Sequence, residues 1–356
     1  MTGFIKDQWS CIPPVVRADL SGQTVVVVGA NVGIGLEASV HFASMGPERL
    51  IIACRSEGKG KNAVEEIEQR TGFKHTELWL LDLSSFTSVR AFADRFEREA
   101  GALDILAMNA GVLPAEYEAT VDGWENCTQV NHLSTSLLPL LLLPRMVEAG
   151  KKRGRAARLV ITASDVHYWA SLSPSVQESP TPLKLFGSKE YCTPEVMKSR
   201  YYDSKLLNVL HTRALAAHLR TLSETPVTPV AVNPGFCWSQ LRRDMPSNPT
   251  MWLAEHGLAW HPEKGARQLV FAALGKRGRE ANRKSKSKHS GEPSPEEDEI
   301  TMRGAYVSMG TTQEVSDWVL GEEGVRMQER IWKETIEILK GVDPRVEGIV
   351  QEFLYA

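Results

Sequence analysis

The chain has 356 residues, 42% of them hydrophobic and 24% charged, which provides for a large core and excludes disordered, collagen-like or disulfide-stapled classes. A formal net charge of −3 and a pI near 6.3 give no support for nucleic-acid binding. Five cysteines, odd in number and never in a C-x-x-C pair, are expected to be reduced thiols of a cytoplasmic protein, with no metal site implied.

In chain order, the first ten residues carry Lys6 and Asp7 and no apolar leader segment. Residues 24–29 (TVVVVG) read as a buried strand, β-branched up to its closing glycine. That strand runs into Gly29-Ala30-Asn31-Val32-Gly33-Ile34-Gly35, a G-x-x-x-G-x-G loop that opens a helix at 34–45. Glycines there let the backbone approach a pyrophosphate, and the helix N-terminus offers free N–H groups and a positive dipole end. A second strand, 49–55, ends Ala53-Cys54-Arg55 with no carboxylate at its tip. A carboxylate would select the ribose hydroxyls of NAD, whereas an arginine accommodates the 2′-phosphate of NADP, so Arg55 is read as a phosphate clamp.

Helix 58–71, strand 75–83, helix 85–100, strand 103–109, a helical pattern at 121–149 and strand 158–164 continue the alternation. In the third helix Val89, Phe92, Ala93 and Phe96 recur at helical spacing. The rhythm resumes with helix 199–222, strand 226–232, helix 262–275 and a short strand at 304–309. Strands alternating with helices imply βαβ units and right-handed crossovers. The expected fold is α/β: one Rossmann-type, doubly wound parallel sheet of about seven strands, helices on both faces, spanning the whole chain.

Three stretches break the rhythm. Residues 168–198 hold four prolines, 240–261 are irregular with Trp252 and Trp260, and 276–299 pass from a basic block to an acidic one. The last reads as a solvated, flexible loop. The longest apolar run, 137–143, is interrupted by Pro139 and closed by Pro144, far short of the roughly 20 residues of a membrane span. It suits either a helix–helix contact in a homodimer or the buried face of its own helix.

Tyr201 and Lys205 form Y-x-x-x-K, a spacing that puts both side chains on one helical face. A phenol normally ionises near 10, and an adjacent ammonium favours its phenolate, so Tyr201 could exchange a proton with a carbonyl or alcohol oxygen. Tyr202 adjoins it but would pair with Leu206 rather than a lysine.

With these motifs in this order, the chain resembles the short-chain dehydrogenase/reductase family, in its G-x-x-x-G-x-G branch, from about residue 23 to 235. The resemblance implies that NADPH/NADP+ is held by Gly29, Asn31, Val32, Gly33, Ile34, Gly35 and Arg55. It implies adenine contacts at Asp82 and Leu83, and further cofactor contacts at Asn109, Ala110, Gly111, Pro234, Gly235 and Ser239. Tyr201 would be the general acid of reduction, while Lys205 lowers its pKa and holds the nicotinamide ribose. Ser164 would stabilise the substrate oxygen, and Asn131 would anchor a proton-relay water. Val28 and Val32 stand where the family favours hydroxyl side chains that brace the loop, so weaker cofactor affinity is expected; Met108 stands where the family has the first asparagine of N-N-A-G. GANVGIG, IACR, NPGFCWSQL and the C-terminal WKETIEILKGVDP resemble two groups, the fungal reductases of secondary metabolism and the retinol-dehydrogenase-like reductases.

Tyr201 lies 37 positions after Ser164, a longer link than simple members of the family use, so 168–198 is read as an insertion beside the substrate. His167, Tyr168, Trp169 and Trp238, with Phe186, Tyr191 and Met245, would offer apolar walls. The leading expectation is an NADPH-dependent ketoreductase acting on a bulky apolar ketone of polyketide type. Oxidation of a lipophilic alcohol is the second reading. A cofactor-gated sensor on the same fold is the third.

Overall fold

The computed structural model describes residues 8–242, 256–275 and 295–355. Met245, Trp252 and residues 276–294 of the charged run therefore lie outside the described residues. One eight-stranded sheet runs in the order β3-β2-β1-β4-β5-β6-β7-β8. Its strands are β1 (Thr24–Val28), β2 (Arg49–Cys54), β3 (Thr76–Leu80), β4 (Ile105–Met108), β5 (Ala157–Thr162), β6 (Val227–Val232), β7 (Tyr306–Ser308) and β8 (Thr311–Gln313). The first seven are mutually parallel, and β8 turns back antiparallel on β7 as an edge not foreseen from sequence.

Strand periodicity sorts the core. Val26 and Val28 enter one buried cluster, Val25 and Val27 the other, because successive residues of a strand point to opposite faces. Both faces are therefore apolar and both are roofed by helices, as a parallel sheet requires. On one side lie α1 (Gly33–Ala43), α2 (Glu57–Thr71) and α6 (Pro262–Leu274). On the other lie α3 (Phe86–Glu99), α4 (Ser134–Arg153), α5 (Pro194–His218), α8 (Glu322–Val342) and α9 (Arg345–Phe353). Helix α7 is Pro295–Met302; residues 295–299 of the expected flexible run are thus helical. Helix starts follow capping chemistry: Ser56, Ser85 and Thr193 each accept a first-turn N–H.

Several boundaries differ from expectation. Strand β3 ends at Leu80, after which the chain leaves the sheet. Helix α5 starts at Pro194, five residues early, because Thr193 caps it and proline suits a first helical position. A 3₁₀ turn at Asp165–Trp169 leads into the insertion, which carries structure of its own, short helices at Pro174–Glu178 and Pro182–Phe186. Pro139 and Pro144 do not stop α4, which runs through both. Every residue of 137–143 is buried within the chain, with α3 and α9 packed against α4. That run is the buried face of its own helix, so the homodimer alternative draws no support from it.

Helices α8 and α9 were not anticipated as packing elements. Met327, Ile331, Trp332, Ile336 and Leu339 form the apolar stripe of α8, which lies on α5. Trp332 stacks on His218 at 5.1 Å, and Leu354 pairs with Leu219. No helix among the described residues is long and apolar enough to cross a membrane.

Candidate active site

Strand order reverses between β1 and β4, and the C-terminal ends of these neighbours open the crevice where doubly wound sheets bind ligands. The loop after β1 fills its floor. A Cβ on Gly29 would sit 2.7 Å from the Ala110 Cα, and one on Gly35 would sit 2.2 Å from the Gly29 carbonyl oxygen. Neither position tolerates a side chain. Asn109 donates to that same carbonyl at 3.0 Å, tying the ends of β1 and β4 together. Val32 precedes α1 and supplies no side-chain cap, so no side chain of that residue competes for the first-turn N–H groups. Asn31, Gly33 and Ile34 line this start half-exposed.

At the tip of β2, Arg55 is exposed, with no ion pair or hydrogen bond to any described residue. Asp82 is partly engaged, its Oδ1 accepting from the Ser84 N–H at 2.9 Å and hydroxyl at 2.6 Å. The Leu83 side chain is buried in the core, which leaves only its backbone to face a ligand.

Across the crevice, Lys205 and Asn131 meet at Gly111. A Cβ there would lie 3.2 Å from Asn131 Oδ1 and 3.6 Å from Lys205 Nζ. Lys205 donates to the Thr162 carbonyl at 2.8 Å, and its Nζ lies 5.5 Å from the Tyr201 ring centre. Burial pulls the ammonium down to about 8 and pushes the Tyr201 phenol above its ordinary value. The lowering expected from Lys205 is not found in this state: loss of water around the phenol dominates, and the charge that opposes it is that of Arg242.

Asn131 sits inside a single π turn, Gln129–Leu133, between a short helix at Asn126–Thr128 and α4. Its Oδ1 accepts from the Val112 N–H at 2.8 Å, and its Nδ2 donates to the Val112 carbonyl at 2.9 Å and Ser204 Oγ at 3.0 Å. Ser204 in turn donates to the Tyr201 carbonyl at 2.8 Å. Ser164 ends the chain segment after β5 and caps the 3₁₀ turn, which packs against α5.

A second layer escaped the sequence reading. Glu125, fully buried, accepts from the N–H groups of Cys127 and Thr128 and from the Thr128 hydroxyl, at 2.7–2.8 Å. Its partner is Arg200, also fully buried, at 3.6 Å. Arg200 lies 3.8 Å over the Phe186 ring and immediately precedes Tyr201. The two residues are far apart in sequence, and no local pattern joins them.

The expected substrate walls divide. His167 is buried, its Nδ1 against the Ser164 carbonyl at 2.8 Å and its ring between Tyr168 and Tyr306; burial lowers it to about 4, so it is neutral. It braces Ser164 rather than lining open space. Phe186 is likewise buried, and Tyr191 stacks near it at 6.3 Å, so both pack the insertion. Tyr168, Trp169 and Trp238 are exposed, and so is Tyr202, 6.4 Å from Trp169. On the far rim, the Trp260 ring packs against Gly235: a Cβ there would fall 2.3 Å from the indole. Pro234 is buried, and Ser239 is exposed beyond it.

Comparison with known proteins agrees with this architecture. Residues 23–171 match the family described as short chain dehydrogenase. Short chain dehydrogenase/reductase dmxR8 of Cryptosporiopsis sp. is 33% identical over 347 residues, covering 97% of this chain and 98% of its own. Short chain dehydrogenase sol3 of Alternaria solani is 37% identical over 77% of this chain and 93% of its own. Mouse retinol dehydrogenase 12 is 36% identical over 72% and 75%. Among solved structures, a short-chain dehydrogenase from Sphingobium yanoikuyae in complex with NADPH superposes with a TM-score of 0.51 at 21% identity, covering 72% of this chain and 85% of that one.

Proposed function

This chain belongs to the short chain dehydrogenase family, and from that premise we propose that it is an NADPH-dependent carbonyl reductase acting on a bulky apolar ketone of polyketide type. The observation that carries the cofactor choice is Arg55, an exposed guanidinium without a partner among the described residues at the tip of β2, where a 2′-phosphate is bound in this fold. The loop 29–35 fits a pyrophosphate: Gly29 and Gly35 leave no room for side chains, and α1 begins without a side-chain cap. Asp82, Leu83, Asn109, Ala110 and Gly111 would continue the cofactor contacts, with Pro234, Gly235 and Ser239 on the nicotinamide side. NADPH, when bound, supplies the hydride. Cells keep NADPH reduced, so a 2′-phosphate clamp favours ketone reduction.

Tyr201 is the general acid in this reading, and burial suits it to that role. A phenol held above its usual pKa keeps its proton at neutral pH, which is the state reduction consumes. Lys205 neutralises the tyrosinate left behind and orients the ribose, Ser164 donates to the substrate oxygen, and Asn131 holds the turn beside them. Tyr168, Trp169, Tyr202 and Trp238 would accept the apolar body of the substrate. The similarity to mouse retinol dehydrogenase 12 favours oxidation of a lipophilic alcohol as a second reading.

Titrating NADPH and NADH against the protein by tryptophan fluorescence tests the proposal. NADPH is expected to bind more tightly, and Arg55→Ala to weaken it about 10- to 100-fold through loss of a charge-assisted contact, leaving NADH within about twofold. Equal affinity for NADH, or an Arg55→Ala variant with unchanged preference, would sink it.

A further inference from the structure

We infer that residues 8–12, ahead of β1, are a working part of the active site, and that Gln8 is a positioning residue for the 234–239 turn. This rests on the reading above, in which that turn faces the nicotinamide. Gln8 is buried, although Trp9 beside it is 75% exposed. Its side-chain amide holds the Phe236 backbone on both sides. Oε1 accepts from the Phe236 N–H at 3.2 Å, and Nε2 donates to the Phe236 carbonyl at 2.9 Å. The same Nε2 donates to the Leu258 carbonyl at 2.9 Å. The Gln8 carbonyl accepts from the Trp260 indole N–H at 2.6 Å.

One residue thus ties together two chain segments more than twenty positions apart, 236 and 258–260. They also meet directly: Trp260 donates to the Phe236 carbonyl at 2.8 Å, and Trp238 to the Trp260 carbonyl at 2.9 Å. Four residues on, Ile12 packs with Cys237 and Trp260, with Ile34 of the glycine loop against the same cluster. The segment therefore touches both sides of the crevice. Gly235 has φ +78° and lies under the Trp260 ring, so the turn keeps its shape only while Trp260 stays seated. Gln8 and Ile12 seat it.

The consequence is specific. Loss of the Gln8 amide leaves the Phe236 N–H and the Leu258 carbonyl without those bonds in a buried setting, where an unmet polar group is costly. The turn then moves relative to Ile34 and the start of α1. Cofactor affinity falls before global stability does, because the hydrogen bonds of Gln8 among the described residues go to Phe236, Leu258 and Trp260 and none to a strand of the central sheet.

The test uses the full-length chain. Gln8→Glu keeps the shape and the acceptor but loses the amide donor; Gln8→Met removes both and fills the space; Trp9→Ala, on the exposed neighbour, is the control. NADPH affinity is read by tryptophan fluorescence, and Tm by the cofactor-free melt. Both Gln8 variants are expected to weaken NADPH about tenfold with Tm within a few degrees of wild type, and Trp9→Ala to bind as wild type. With phenanthrenequinone as probe, KM for NADPH should rise more than kcat falls. Unchanged NADPH affinity in Gln8→Glu and Gln8→Met, whatever their Tm, overturns the inference while leaving the reductase reading intact. A wild-type chain that binds neither nicotinamide cofactor overturns both. Should one Gln8 variant fail to fold, the other decides.

Discussion

Tyr201→Phe is expected to lower kcat for ketone reduction by about 10²- to 10⁴-fold, the usual range for a lost general acid, while NADPH titrates as in wild type. The ring is retained, so packing against Lys205, 5.5 Å away, changes little; only the transferable proton is gone. Tyr202 cannot replace it. That side chain is exposed and lies beside Trp169, and Tyr202→Phe should keep kcat within about twofold, since the ring that would face the substrate is retained and only an exposed hydroxyl is lost. Stopped-flow oxidation of NADPH under single-turnover conditions separates the chemical step from product release. A Tyr201→Phe variant retaining a tenth or more of wild-type turnover would remove Tyr201 from the mechanism.

Glu125→Ala is expected to cost about 3–5 kcal/mol, because it leaves the buried Arg200 guanidinium without its carboxylate. Three further bonds go with it, those from Cys127 N–H, Thr128 N–H and the Thr128 hydroxyl. Thermal melting should fall by roughly 5 °C or more. The double variant Glu125→Leu/Arg200→Met should recover much of this, since apolar replacement of a buried ion pair is often neutral. Activity need not recover with stability. Glu125 anchors the start of the segment carrying Asn131, and Arg200 adjoins Tyr201, so the double variant separates folding from alignment. A Glu125→Ala melt within a degree of wild type would show that the pair carries no net stability.

The parallel sheet was readable because strands buried on both faces must be near-continuous β-branched runs; 24–29 and 158–164 could hardly be anything else. The crevice was readable because its glycines are forced by contact with Ala110 and Asn109. What stayed hidden has physical causes as well. An aromatic residue declares that it will be buried or will bind, not which, so His167 and Phe186 were read as walls and turned out to be packing. One residue inserted into a helix leaves hydrophobic spacing almost unchanged, and the π turn around Asn131 left no mark in the sequence. Gln8 and the Glu125–Arg200 pair act across distances that no local window spans. The 322–342 stripe repeats at helical spacing, but a stripe does not name the surface it covers.

That stripe closes over α5 late. At about 5–20 residues per second on the ribosome, 353 emerges roughly 6–24 s after β6 is complete. In that interval the outer faces of α4 and α5 have no cover from α8 and α9. Apolar surface left open for those seconds is the kind that associates wrongly, so a chain cut before residue 322 is expected to aggregate, which light scattering of the truncated protein would check.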